Sequence, residues 1–207
     1  MKFVLFVEGH TEKNGLPGFL KRWLDPRLPE PVGVQTVLFE GSQELVKKLP
    51  LKARMYLAGP AKDKIVAVIG LLDLHGPTFY PSHLYSAAER YSWAVQYLQS
   101  QVNHPKFRMF FAVHELEAWI LSQPQFLPPQ VAKALPARAN DPESVNFQEP
   151  PAKLLDRLYK EKLRRSYKKT VNGAELLRKT DPGVSYQKCP RLKEMLDEML
   201  RLALEAN

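Results

Sequence analysis

The sequence predicts an α/β protein built on a central, mainly parallel, four-stranded sheet flanked by helices, followed by a helical extension. Three observations carry this. Short apolar runs rich in β-branched and aromatic residues recur at Phe3 to Val7, Ile65 to Leu72 and Phe107 to Val113, each with strand length. Two of them stop abruptly at an acid followed by a glycine turn, Glu8-Gly9 and Asp73 to Gly76. Each strand is separated from the next by a segment of helical spacing, and strand-helix-strand steps give parallel crossovers that bring every carboxyl strand end to one edge of the sheet.

Taken in order, the first strand is buried on both faces and delivers Glu8 to its carboxyl end. A helix follows to about Leu24, with Thr11 placed to cap it and Phe19, Leu20, Trp23 and Leu24 on its apolar face. Gly9 lets the backbone approach an anion closely. Pro31 to Glu40 alternates as a second strand, and Ser42 caps a short helix over Gln43 to Leu49. Lys64 to Asp73 is the strongest strand and belongs at the sheet centre. A helix over Ser82 to Val102 leads to the fourth strand, which also delivers acids, in His114-Glu115-Leu116-Glu117. Residues two apart on a helix diverge, so if the helix has already begun Glu115 and Glu117 cannot both face the site; Glu115 is expected there, and Glu117 to cap, to pair with a basic residue or to support the site from behind. The core is expected to span residues 1–123. Residues 124–207 form the extension: a proline-rich connector from Pro124 to Pro151, a basic helix Lys153 to Arg165, a short helix Ala174 to Arg178, and a last one Pro190 to Ala206.

Composition narrows the function. The chain has 207 residues and a single Cys, Cys189, which excludes an internal disulfide framework and a Cys-built zinc site and fits a reduced, cytoplasmic setting. No apolar run is long enough to span a membrane, so no membrane association is expected. Thirty Lys and Arg against 22 Asp and Glu give a formal charge of +8, which favours nucleic acid as partner.

Glu8, Asp73 and Glu115, from separate strand ends, suit a hard divalent cation, Mg²⁺ first and Mn²⁺ beside it, because such ions take oxygen ligands. His75 adds an imidazole that Mn²⁺ also accepts. An ion there neutralises phosphate charge while a remaining acid handles a proton, an arrangement that cleaves phosphodiesters. Lys160 to Lys169 holds the densest positive charge, and Lys169, folded over the acids, would contact the phosphate.

The ordered set of Glu8-Gly9 with Thr11-Glu12, Asp73 with Gly76, His114 to Ala118, Lys168 to Gly173, and Cys189-Pro190 resembles the Toprim-like domain of unknown function family 4276, over nearly the whole chain. The resemblance implies a Toprim fold, with Glu8 as proton-handling residue and Asp73 as metal ligand, in a nuclease-like protein. It also implies an ATPase partner of the ABC or OLD kind in an anti-phage or genome-maintenance system; a homo-oligomer stays open. The chain departs from the Toprim Asp-x-Asp pattern, since His75 stands where the second acid belongs, and Glu115 is the residue placed to replace it. Two rivals follow: a catalytically silent subunit that binds nucleic acid or a nucleotide, and a phosphatase-like site with Asp73 as nucleophile.

Overall fold

The computed structural model describes residues 1–145 and 148–206; Asn146 and Phe147 of the expected connector lie outside the described residues. Four strands, β1 (Lys2–Val7), β2 (Gly33–Leu38), β3 (Ile65–Asp73) and β4 (Phe107–Ala112), form one sheet in the order β2-β1-β3-β4. Every pairing is parallel, so the expected α/β architecture is the observed one, with β3 inside the sheet. All nine residues of β3 are buried, which is why that run carries no alternation.

Alternation instead sorts side chains between two cores. Phe3, Leu5 and Val7 of β1 pack with α1 (His10–Leu24), while Val4 and Phe6 pack with α2 (Ser42–Ala58) and α3 (Ala87–Val102) on the other face. The β1–β3 register shifts between Lys2 and Val4, and the extra β3 residue sets Val66 and Ala67 in the same core. Gly70 admits Met109 from β4: a Cβ there would lie 2.5 Å from its Sδ.

Because α1 covers one face and α3 the other, the connections leaving the neighbouring strands β1 and β3 depart on opposite sides. This opens a crevice at their carboxyl ends, the place where open α/β sheets bind ligands.

After β4 come α4 (Glu117–Leu121), α5 (Pro129–Ala132), α6 (Pro151–Leu163), a π-helical turn at Lys169–Gly173, α7 (Ala174–Lys179), α8 (Pro182–Lys188) and α9 (Pro190–Ala206). Helices α4 to α7 share a third core around Ile120, Leu154, Leu158 and Tyr167. α9 returns to the sheet: Leu192, Met195, Leu196 and Met199 join the core of β1 and α1, and Arg108 of β4 donates to Glu198 at 2.6 Å. Among the described residues no helix is long and apolar enough to cross a membrane.

Three local expectations are corrected. The helix expected over Gln43 to Leu49 includes Ser42, with Gly41 and not Ser42 as its N-cap, and runs through Pro50 to Ala58, because Leu45, Leu49, Ala53 and Leu57 keep one face buried past the proline. The helix expected from Ser82 starts at Ala87, where Ser86 and Glu89 form a reciprocal capping box. Thr11 does not cap α1: Gly9 is the N-cap residue, and the Thr11 hydroxyl is engaged elsewhere.

Candidate active site at the carboxyl strand ends

Glu8 follows β1 directly, and its Oε1 accepts the backbone N–H of Asp73 at 3.0 Å across the crevice. Asp73 ends β3 and is divided between two partners. Its Oδ1 accepts the N–H of Leu116 at 2.9 Å, and its Oδ2 accepts the Lys169 ammonium at 2.6 Å. Glu115, beyond β4, accepts the N–H of Ala152 at 2.7 Å through Oε2, and its Oε1 lies 3.8 Å from Lys169 Nζ. The structure therefore brings Glu8, Asp73, Glu115 and Lys169 to one place.

Lys169 arrives on a strap, the stretch from Tyr167 through the π-helical turn to Gly173. The Thr11 hydroxyl donates to the Lys169 carbonyl at 2.9 Å, and the N–H of Lys168 donates to Asn172 Oδ1 at 2.9 Å. Gly173 is required for close approach: a Cβ there would lie 2.8 Å from the Tyr167 hydroxyl and 3.3 Å from Thr11 Cγ2. Tyr167 in turn donates to Glu117 Oε1 at 3.3 Å. Gly9 lies against Glu12: its extended backbone is open to any residue, but a Cβ there would lie 2.5 Å from Glu12 Oε2, so the Glu12 carboxylate would have to shift.

Glu117 pairs with a basic residue, as expected, but it does so in the same cluster as Glu115. Its Oε2 stands 3.3 Å from Lys169 Nζ, and the side chain is wholly buried. The helical-divergence argument does not apply because α4 begins only at Glu117, with Leu116 as its N-cap, so Glu115 lies before the helix and turns independently. Glu12, which entered only as part of the Thr11-Glu12 motif and was given no role, is 5% exposed and faces Asp73 and Glu8. The sequence signal for both is a charge on an apolar stripe. Glu12 shares the buried face of α1 with Gly15, Leu16, Phe19 and Leu20, and Glu117 interrupts an apolar run whose Trp119 stacks on Phe19 at 5.6 Å.

His75 is half-buried, and its N–H donates to the carbonyl of His114 at 2.8 Å, joining the two strand ends. Burial and the neighbouring His75 push His114 down to about 4, which keeps it neutral near pH 7. Gly76 has φ +118, a conformation that only glycine takes readily, and a Cβ there would meet nothing.

Electrostatics follow from packing five acids around one ammonium. Burial, then the Asp73 charge, push Glu8 and Glu12 each up to about 7. Burial raises Glu117 to about 8 although Lys169 opposes it, and burial also raises Glu115. Burial alone would lower Lys169, but Asp73, Glu117 and Glu115 outweigh it and hold the ammonium charged.

A pH dependence results. In the unfolded chain these carboxyls lose their protons near the ordinary value of 4.5, whereas the folded site keeps them to about 7 for Glu8 and Glu12. The native state binds more protons in that window, so its stability falls as pH rises from about 4.5 through about 7. In thermal unfolding under chelator, the midpoint should decline across this window for the wild type and decline less for Glu12→Gln. A flat profile in both would contradict the buried positions of these acids.

The donor set fits a hard divalent cation. It is all oxygen apart from His75, and the carboxylates exceed the single ammonium that balances them. Among the described residues no three such side chains already enclose one point, because Lys169 stands between them.

Fold and site together define an α/β protein with an acid cluster at the switch point of a parallel sheet. The chain belongs to the family described as domain of unknown function (DUF4276), whose model matches residues 7–200. No curated protein matches it. Among solved structures it is similar to the C-terminal region of the Burkholderia pseudomallei OLD protein, at 16% identity and TM-score 0.49, covering 97% of this chain and 98% of that one. It is also similar to the C-terminal region of the Xanthomonas campestris pv. campestris OLD protein, at 18% identity and TM-score 0.47, covering 98% and 96%.

Proposed function

We propose that the protein is a divalent-cation-dependent, nuclease-like enzyme that cleaves phosphodiester bonds of nucleic acid. One observation carries the reading: Asp73, at the switch point, shares Lys169 with Glu115 and Glu117 while Glu8 is bonded to its backbone, so proton-handling, cation-holding and phosphate-facing groups meet at one crevice.

Asp73 and Glu115 would hold Mg²⁺ or Mn²⁺, with His75 at the margin, and Glu8 stays outside the ion's ligands as the proton-handling group. The ion supplies Lewis-acid neutralisation of phosphate charge. Glu8 exchanges a proton near neutrality and takes one from the attacking water; a raised carboxyl pKa matches that task at working pH. Lys169 turns from the carboxylates to the transferred phosphate and compensates its charge. Glu12 and Glu117 keep the crevice acidic, and Tyr167 positions Glu117. Arg164, before the strap, and Lys168, within it, are exposed and make no ion pair among the described residues, which suits contact with a nucleic-acid backbone. A cytoplasmic setting, on the single cysteine, and an ATPase partner of the ABC or OLD kind, on the resemblance alone, belong to the same proposal.

The test is incubation of single- and double-stranded DNA and of RNA with wild type and Glu8→Gln, with Mg²⁺, Mn²⁺ or chelator. Cleavage should need the metal and fall about 100-fold or more in Glu8→Gln. Salt-sensitive binding without cleavage under any of these conditions would overturn the enzyme reading in favour of a silent binding subunit.

A further inference from the structure

The loop between β3 and α3, residues 74–86, carries more aromatic surface than a connection needs. Phe79 stacks on Tyr80 with centroids 4.7 Å apart and lies 5.8 Å from Trp93, and Trp93 stacks on Tyr97 at 4.8 Å. Tyr80 is fixed at both ends. Its hydroxyl donates to the carbonyl of Leu74, the residue after Asp73, at 2.9 Å, and the Arg90 guanidinium lies over its ring at 5.2 Å.

Between this loop and α2 lies a cavity of about 220 Å³. Pro77, Thr78 and Phe79 make one wall; Gln43, Val46 and Lys47 make the other. Both walls are tied to the acids. The Gly41 N–H, just before α2, donates to the Glu8 carbonyl at 3.1 Å, and the Pro77 wall begins four residues after Asp73. The lining combines the apolar side chains of Val46, Pro77 and Phe79 with the amide of Gln43, the hydroxyls of Ser42 and Thr78 and the ammonium of Lys47. Drug-sized pockets hold roughly 300–1,000 Å³, so this one suits a single flat ring system.

We infer that this cavity takes one unpaired nucleobase of the substrate strand, next to the nucleotide whose phosphate reaches the acid crevice, with the base against Phe79 and Lys47 facing its phosphate. A base is the occupant whose chemistry meets all three features: an aromatic face for Phe79, polar edges for Gln43 and Thr78, and an attached anion for Lys47. A base inside a duplex is stacked on both faces and cannot enter. The substrate class is therefore nucleic acid with a single-stranded segment at the cleavage point. This rests on the nuclease reading and deepens it.

The experiment measures anisotropy of a labelled oligothymidine, single-stranded or paired with oligoadenine, against the full chain under chelator, which prevents turnover. Phe79→Ala should weaken single-strand binding about 5- to 150-fold, the range expected for one stacked base, and leave duplex binding within about twofold. Phe79→Trp should restore it. Equal losses on both forms, or none on the single strand, would overturn the inference while leaving the nuclease reading intact. Wild type that binds neither form would overturn the nucleic-acid reading itself. Should Phe79→Ala not fold, 2-aminopurine in the single strand decides with wild type and Lys47→Ala: quenching that weakens in Lys47→Ala supports the pocket, and an unquenched probe overturns it.

Discussion

Asp73→Asn should abolish divalent-cation binding, read by calorimetric titration of Mg²⁺ and Mn²⁺, and lower cleavage by about 1,000-fold or more. The substitution is selective. An Asn amide oxygen can still accept the Leu116 N–H that Asp73 Oδ1 accepts at 2.9 Å, so the turn after β4 keeps its anchor. What disappears is the charge facing Lys169 and, in the proposed enzyme, the cation. Losing a preorganised electrostatic group from an active site costs about 10²–10³ in rate, and losing the ligand for an ion that neutralises phosphate adds to this. Lys169 retains Glu117 at 3.3 Å, so the thermal midpoint should move little, which separates loss of the site from loss of the fold. Metal affinity that survives undiminished in Asp73→Asn would place the ion away from the switch point and sink the arrangement proposed above.

Much of this site was legible because a parallel sheet does geometric work that sequence can report. Once Glu8, Asp73 and Glu115 are assigned to the ends of parallel strands, they must share an edge, whatever the loops do. The order β2-β1-β3-β4 then puts Glu8 and Asp73 on neighbouring strands, a fact no pattern in the chain states. Lys169 was expected to contact phosphate if the basic run folded over the acids, and the strap does bring it to them. Glu117 was expected to pair with a basic residue and does so with Lys169; its divergence from Glu115 held only for a helix already begun at Glu115, whereas α4 begins at Glu117. Glu12 was given no role, because a single acid in a first helical turn reads equally well as a partner of the helix dipole. The proline-rich stretch resisted for another reason: its turns are short, and their register is set by contacts with α6 that lie outside any local window.

Lys169→Met should produce two opposite effects that a merely structural lysine would not. Without metal, the variant leaves Asp73, Glu115 and Glu117 facing one another with no ammonium between them. Removing one member of a buried ion pair costs about 3–5 kcal/mol. The Lys169 side chain is 34% exposed, so solvent already screens part of its charge, and about 2 kcal/mol is the fairer figure. At roughly 2–4 °C per kcal/mol for a domain of this size, the midpoint under chelator should fall about 4–8 °C. The fall should be larger at pH 8 than at pH 6, because the protons that Glu8 and Glu12 hold up to about 7 relieve the repulsion at the lower pH. With Mn²⁺ the order reverses. The ammonium and a divalent cation compete for the same carboxylate oxygens, so the variant should bind the ion about tenfold or more tightly, regain the lost midpoint, and still cleave poorly for want of the phosphate-facing charge. Differential scanning fluorimetry with and without Mn²⁺, beside a titration of both proteins, reads every part of this. An unchanged midpoint under chelator together with unchanged affinity would show that Lys169 does not balance the acids in solution, and both the strap's role and the competition argument would fall with it.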